Sequence, residues 1–106
     1  MSNTKPKKEE FKKFDSGKTD YTMAPWESIE DMIAVMEFGK QKYGRDNWKE
    51  CKEPSRFAAA AMRHLVEYMK GNHNDEESGE KHLAHAMCCV NMLNWLEYHN
   101  KDKNNG

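Results

Sequence analysis

The stretch from Pro54 to Gly71, PSRFAAAAMRHLVEYMKG, decides the fold. Ser55 follows a proline and is a residue type that caps helix N-termini, while Gly71 is the type that ends them. Between them run Ala58 to Ala61, strong helix formers small enough to let a neighbouring helix come close. Phe57, Ala61, His64 and Tyr68 share one stripe at helical spacing, with Ala60 and Glu67 beside it. The segment is predicted to be a helix capped by Ser55 and running to Met69. His64 stands at the margin of its packed face. Such a histidine is commonly structural, but Glu67 one turn later and Arg63 just before it leave a functional role open.

Outward from this helix, Asn72 to Glu76 is a short polar turn, and a further helix is predicted from Glu77 to Tyr98, burying Leu83, Met87, Val90, Leu93 and Leu96. Its second stripe is Ser78, His82, His85, Cys89 and Met92. On the N-terminal side, Pro25 to Tyr43 places Trp26, Ile29, Ile33 and Met36 at helical spacing, with Gly39 and Gly44 to weaken and stop the helix. The connection from Lys42 to Pro54 is too rich in turn formers to be regular. Alternating apolar segments and hairpin signals are missing, so no strands are expected. The predicted fold is an all-α bundle of three helices, or of four, with an irregular loop between helices one and two.

The chain has 106 residues, a formal net charge of -1 and 33% charged residues, and its mean hydropathy is -1.12. Its ends are the least apolar parts: residues 1–20 read as a disordered lysine-rich segment and residues 99–106 as a disordered tail. Residues 21–98 form the predicted domain. A core of that size buries only roughly 60–65% of the unfolded surface, so completion as a homodimer or homotetramer is expected. The charge balance offers no surface for neutralising many phosphates, and duplex nucleic acid is not an expected partner. No apolar run is long enough to span a bilayer and no signal peptide is evident, which predicts a cytoplasmic protein. Cys51, Cys88 and Cys89 lack the spacing of a structural zinc site and are expected to be reduced thiols used in packing.

The chemistry gathers in DEESGEKHLAH, Asp75 to His85. Glu77, Ser78 and Gly79 stand where a helix would begin, and His82 and His85, three apart, project from one side of it. Carboxylates and neutral imidazoles are ordinary ligands of divalent ions, and a first helical turn suits an anion; the same pair can also be a hydrogen-bonded seam between helices. Glu27, Glu30, Asp31 and Glu37 on helix one could hold a cation or simply face water. In the loop, Lys42, Arg45, Asn47 and Trp48 suit phosphate and base contacts, with a Trp lid over the core as the alternative. His64-x-x-Glu67 and His82-x-x-His85 are pairs of one spacing on two neighbouring helices.

That pairing is close in form to the ExxE, spacer, ExxD signature of MazG-like nucleoside triphosphate pyrophosphohydrolases, with three of the four acids replaced by imidazoles. A fuller resemblance runs from Gly17 to Glu97. Gly17 and Lys18, Pro25, FGKQKYGRDNW from Phe38 to Trp48, RHL from Arg63 to Leu65, Gly71, and DEESGEKHLAHA from Asp75 to Ala86 occur in one register. In these the chain resembles the small phage family of dATP/dGTP diphosphohydrolases, relatives of the MazG-like all-α enzymes. The resemblance implies metal-dependent hydrolysis of purine deoxynucleoside triphosphates to monophosphate and pyrophosphate, in the host cytoplasm if phage-encoded, with Mg²⁺ or Mn²⁺ as cofactor. Residue chemistry then suggests Glu30, Glu77, His82 and His85 as metal ligands, with Glu27 in reserve, and His64 as base beside His82 and His85. Lys42, Arg45 and Arg63 would meet phosphate, and Asn47 and Trp48 the base. Two competitors stand beside this: a protein that sequesters a signalling nucleotide in host–phage conflict without cleaving it, and a helical bundle with no ligand.

Overall fold

The computed structural model describes residues 9–104, and side-chain surroundings for residues 9–100. Three α-helices carry the fold: α1 (Trp26–Tyr43), α2 (Ser55–Met69) and α3 (His82–Asn104). Short 3₁₀ turns at Tyr21–Met23 and Asn47–Glu50 punctuate the connections, and one isolated antiparallel bridge, Asn74 to Lys81, closes the turn before α3. The all-α bundle expected from the periodicity is what forms. Among the described residues no helix is long and apolar enough to cross a membrane. Residues 9–20 are exposed and carry no helix or strand; the first part of the segment expected to be disordered, residues 1–8, lies outside the described residues, as do residues 105–106 of the expected tail.

Three boundaries differ from the sequence expectation, each for a local reason. Pro54 takes the cap position of α2 in a helical conformation, and Ser55, predicted as the cap, is the first helical residue with no side-chain capping bond. Proline suits that place because its φ is pre-set and it has no N–H to satisfy. Helix three begins at His82, not Glu77. Gly79 has φ +77, outside the helical region, and the Asp75 carboxylate accepts the Ser78 N–H at 2.9 Å, holding 75–79 as a turn. At its other end α3 runs beyond Tyr98 to Asn104.

α3 is the central element, with α2 along one side and α1 on another. Val35 of α1 meets Ala84 and Cys88 of α3, with Met32, Met36 and Met92 packed around them. Ala61, Ala86 and Leu96 are the other buried apolar residues, and Leu96 is the most deeply buried at 1% exposure. The small residues at these contacts let the helix axes approach closely. Part of the predicted core is therefore wrong. Leu83 and Val90 of α3, and Trp26 and Ile33 of α1, are exposed, because the helices turn their alanine and methionine faces inward. Met62, Leu65, Val66 and Met69 then form an exposed apolar stripe on α2, with intervals of three, one and three residues.

Leu96→Ala is expected to lower unfolding free energy by about 2–4 kcal/mol, the cost of a cavity in a packed core. Met23→Ala, at an exposed site, should stay within about 0.5 kcal/mol. Urea titrations of the two variants compare them directly, and equal midpoints would contradict this account of the core.

Candidate active site

A cleft of ≈ 1210 Å³ opens between the C-terminal half of α1, the connection to α2, and the facing sides of α2 and α3. His64, His85 and Asp75 line it, and the buried His82 completes a cluster of three imidazoles behind them. His64 of α2 lies between the two histidines of α3: its Nδ1 is 2.9 Å from His82 Nδ1, and its ring stacks on His85 with centroids 4.5 Å apart and planes 14° from parallel. Residues 82 and 85 are one helical turn apart, so one histidine on the facing helix can meet both. His82 is buried, whereas His64 and His85 are half-buried and line the cleft.

Asp75 completes the cluster from the turn. Its Oδ1 accepts the backbone N–H and the hydroxyl of Ser78, at 2.9 and 3.2 Å, and lies 3.8 Å from His85 Nε2. Ser78 Oγ is 2.6 Å from that same Nε2 and accepts the Glu80 N–H at 3.1 Å. One donor atom each from His64, Asp75 and His82 lie within 4.8 Å of one another.

Burial pushes the His64 imidazole below its ordinary pKa, and the facing His85 and His82 rings add to the effect. Burial also lowers His85, with the Asp75 carboxylate pulling the other way. Burial of Asp75 acts to raise its carboxyl, but the two Ser78 hydrogen bonds and the adjacent imidazoles outweigh it and hold the group below its usual range. The neutral form is thus favoured for His64 and His85, beside a carboxylate. Burial pushes the Cys88 thiol up to about 12, and raises Cys89. Cys88 is buried in the core cluster and Cys89 is half-buried, and both border the cleft.

The cleft gathers most of the residues singled out in the sequence: Lys42, Arg45, Asn47, Trp48, Arg63, His64, Glu77 and His85 all line it. Trp48 serves both readings considered for it. It packs edge-on against Trp95 at 5.0 Å, which closes the bundle, and it borders the cleft as well. Lys49 sits over both indole rings, and His99 stacks on Trp95 at 3.8 Å.

The predicted acid set is not brought together. Glu30 is exposed and does not line the cleft: five residues before Val35, it sits about 140° around α1 from the face that packs. Glu27 borders a separate groove of ≈ 460 Å³ with Asp31 and Lys81, which pair at 3.0 Å. Glu77 is exposed and bound to Lys42 at 2.6 Å, so two residues given different roles engage each other. Glu67 turns to Asn72 and Lys70 at the end of α2 and does not join His64 in a four-position cage.

Asp75 was missed as a donor, although it opens the DEESG motif. Its signal was the Asp-x-x-Ser spacing of a side-chain-capped turn. Lys40, Lys52 and Arg56 also line the cleft and form no ion pair among the described residues; single basic residues in a lysine-rich chain gave no signal.

These shifts set a pH dependence for the metal-free protein. His64 and His85 titrate lower when folded than the ordinary 6.5, so the unfolded chain takes up their protons first on acidification. Their stabilisation is complete above that value and is lost as pH falls below it. Asp75, also lowered, adds a separate loss below its ordinary 3.8. Melting temperature measured in chelator should therefore decline as pH drops below 6.5, and His64→Asn should make that slope shallower. An unchanged slope would refute the assignment.

A family model described as "dATP/dGTP diphosphohydrolase, N-terminal" matches residues 8–105. A protein named dATP/dGTP diphosphohydrolase from Salmonella phage PMBT28 is 38% identical over 84 residues, covering 79% of this chain and 29% of that relative. The chain thus spans under a third of the length of the curated relative it matches. No solved structure matches the chain. With nearly its whole length inside the family match, the chain belongs to the dATP/dGTP diphosphohydrolase, N-terminal, family.

Proposed function

We propose that the cleft binds a purine deoxynucleoside triphosphate and hydrolyses it between the α and β phosphates, with a divalent ion held by His64, Asp75 and His82. The observation that carries this reading is the convergence of those three donors beside a cleft lined by Lys40, Arg45, Lys52, Arg56 and Arg63, which form no ion pair among the described residues. The printed name of the phage relative, which includes both dATP and dGTP, supports the substrate class.

The donor set fits a transition ion better than magnesium. Two imidazoles and one carboxylate suit Mn²⁺, whereas Mg²⁺ prefers oxygen ligands alone. The His64 and His82 nitrogens stand 2.9 Å apart, so both would be able to hold one ion. Because Asp75 Oδ1 already accepts from Ser78, Oδ2 is the oxygen left for the ion. A bound ion would supply Lewis-acid neutralisation of phosphate charge.

The chain's own side chains account for the rest. Arg45 and Arg63 can meet the phosphates, with Lys40, Lys52 and Arg56 adding to the positive field along the cleft. Lys42 reaches the same space but must leave Glu77 to do so. Trp48 and Asn47 border one end, where an indole can stack on a purine and an amide can read its edge. His85 lies outside the donor set yet lines the cleft, which leaves it to orient and deprotonate the attacking water.

Self-association belongs to the same reading. The α2 stripe of Met62, Leu65, Val66 and Met69 exposes apolar side chains that a second copy would cover, in a homodimer or homotetramer.

Chromatography of the products of dGTP or dATP with Mn²⁺ should show monophosphate and pyrophosphate. His64→Ala and Asp75→Asn should each lower turnover at least about 100-fold and abolish Mn²⁺ binding in calorimetry, whereas Glu30→Gln should leave both unchanged. Intact triphosphates with one nucleotide retained by the protein would replace hydrolysis by nucleotide sequestration. For the assembly, sedimentation equilibrium should give a multiple of the 12.4 kDa chain mass, and Val66→Glu should shift it towards monomer; a monomeric wild type would end that part of the proposal.

A further inference from the structure

Ser78 has one proton and two neighbours that could take it. Its Oγ lies 3.2 Å from Asp75 Oδ1 and 2.6 Å from His85 Nε2, and it accepts the Glu80 N–H at 3.1 Å. Asp75 Oδ1 already accepts the Ser78 N–H at 2.9 Å, and an aspartate carboxylate can only accept. Were Ser78 to donate to His85, the serine and aspartate oxygens would face each other at 3.2 Å with no hydrogen between them, an uncompensated repulsion in a half-buried turn. Donation to Asp75 removes that conflict. The short contact to His85 is then an Nε2–H donating to Oγ, and every group in the turn is satisfied.

The neutral His85 ring consequently carries its proton on Nε2 and its lone pair on Nδ1. Nδ1 makes no side-chain hydrogen bond among the described residues. Stacking on His64 fixes the ring plane, and the residue lines the cleft. The contacts run Asp–Ser–His, not the Asp–His–Ser order of an acyl-transfer triad. Ser78 gives its proton to the carboxylate and uses both lone pairs for N–H donors, so it is not a nucleophile.

We propose that Ser78 is a positioning residue: anchored by Asp75, it fixes His85 as the Nε2-protonated tautomer and so makes Nδ1 the general base of the cleft. The base role rests on the hydrolysis reading above; the tautomer does not. As water attacks the α phosphorus, its oxygen forms the new P–O bond and its proton passes to Nδ1. The bond from the α phosphorus to the bridging oxygen breaks, and its electron pair leaves with pyrophosphate. His85 becomes an imidazolium whose Nε2–H still donates to Ser78, with the Asp75 carboxylate behind it, and its extra proton then passes to solvent.

Two-bond ¹H–¹⁵N correlation spectra of histidine-labelled protein, without metal or nucleotide and with His85 assigned through His85→Gln, test the tautomer directly. The expected wild-type pattern is a protonated Nε2 whose hydrogen exchanges slowly with water and an unprotonated Nδ1. Ser78→Ala should make that hydrogen exchange quickly and populate the Nδ1–H form, and Ser78→Thr should restore the wild-type pattern. A proton on Nδ1 in the wild type overturns the proposal even if Ser78→Ala fails to fold, and so does a spectrum indifferent to Ser78→Ala. In turnover assays Ser78→Ala should reduce kcat roughly tenfold or more with KM little changed; a loss confined to KM overturns the base role. A wild type that binds dGTP without cleaving it overturns the hydrolysis reading and the base role together, while the spectra still decide the tautomer.

Discussion

The turn between α2 and α3 is the constraint on which the rest of the molecule depends. Gly71, with φ +97, ends α2, and the chain must then reverse within a few residues for α3 to lie back along it. The reversal is held by backbone bonds from Asp75 to Glu80, from Gly79 to Asp75 and from His82 to His73, each at 2.8 Å. The last sets where α3 starts. It puts His82 and His85 on the first turn, level with His64, and every contact in the cluster follows from that register. The Asp75 carboxylate lies inside the reversal, so the residue that shapes the turn is also the acid beside the imidazoles. The cluster and the chain reversal thus share one hydrogen-bonded loop.

How far the sequence could be read depended on the range of the interaction involved. Helix existence was legible because it follows from local periodicity and stop residues: α1 and α2 lie within a residue or so of their expected limits. The start of α3 was not. The D-E-E-S-G run satisfies the pattern of a helix N-terminus, and only the positive φ of Gly79 together with the bond from His82 back to His73 shows that the chain closes a loop there first. The core was half legible. Periodicity pointed inward with Leu83 and Val90, yet Ala84 and Cys88 went inward while those two stayed out, because α1 offers a flexible methionine surface that packs against small residues.

The same distinction applies to the cleft. The histidines, the loop cations and Trp48 were legible because residue type and motif spacing carried them. The acid was misplaced because carboxylates are abundant here, with 18 Asp and Glu in 106 residues, and sequence alone does not tell a cluster from a solvated face. Glu30 and Glu77 are one and two residues, respectively, from Asp31, which meets a lysine, and Asp75, which meets the imidazole cluster. For such a common residue type, only the rotation of α1 about its axis and the closure of the turn separate a ligand from a surface charge.

The ion pair between Lys42 and Glu77 joins the end of α1 to the turn before α3, and both residues line the cleft. Both side chains are accessible to water, so dissolved ions reach and weaken their attraction. This link between the two elements is therefore stronger in dilute buffer and weaker as salt accumulates. A polyanion arriving there competes with Glu77 for the same ammonium group, so the traffic most able to unfasten the two walls is the kind of molecule whose own charge matches the field inside.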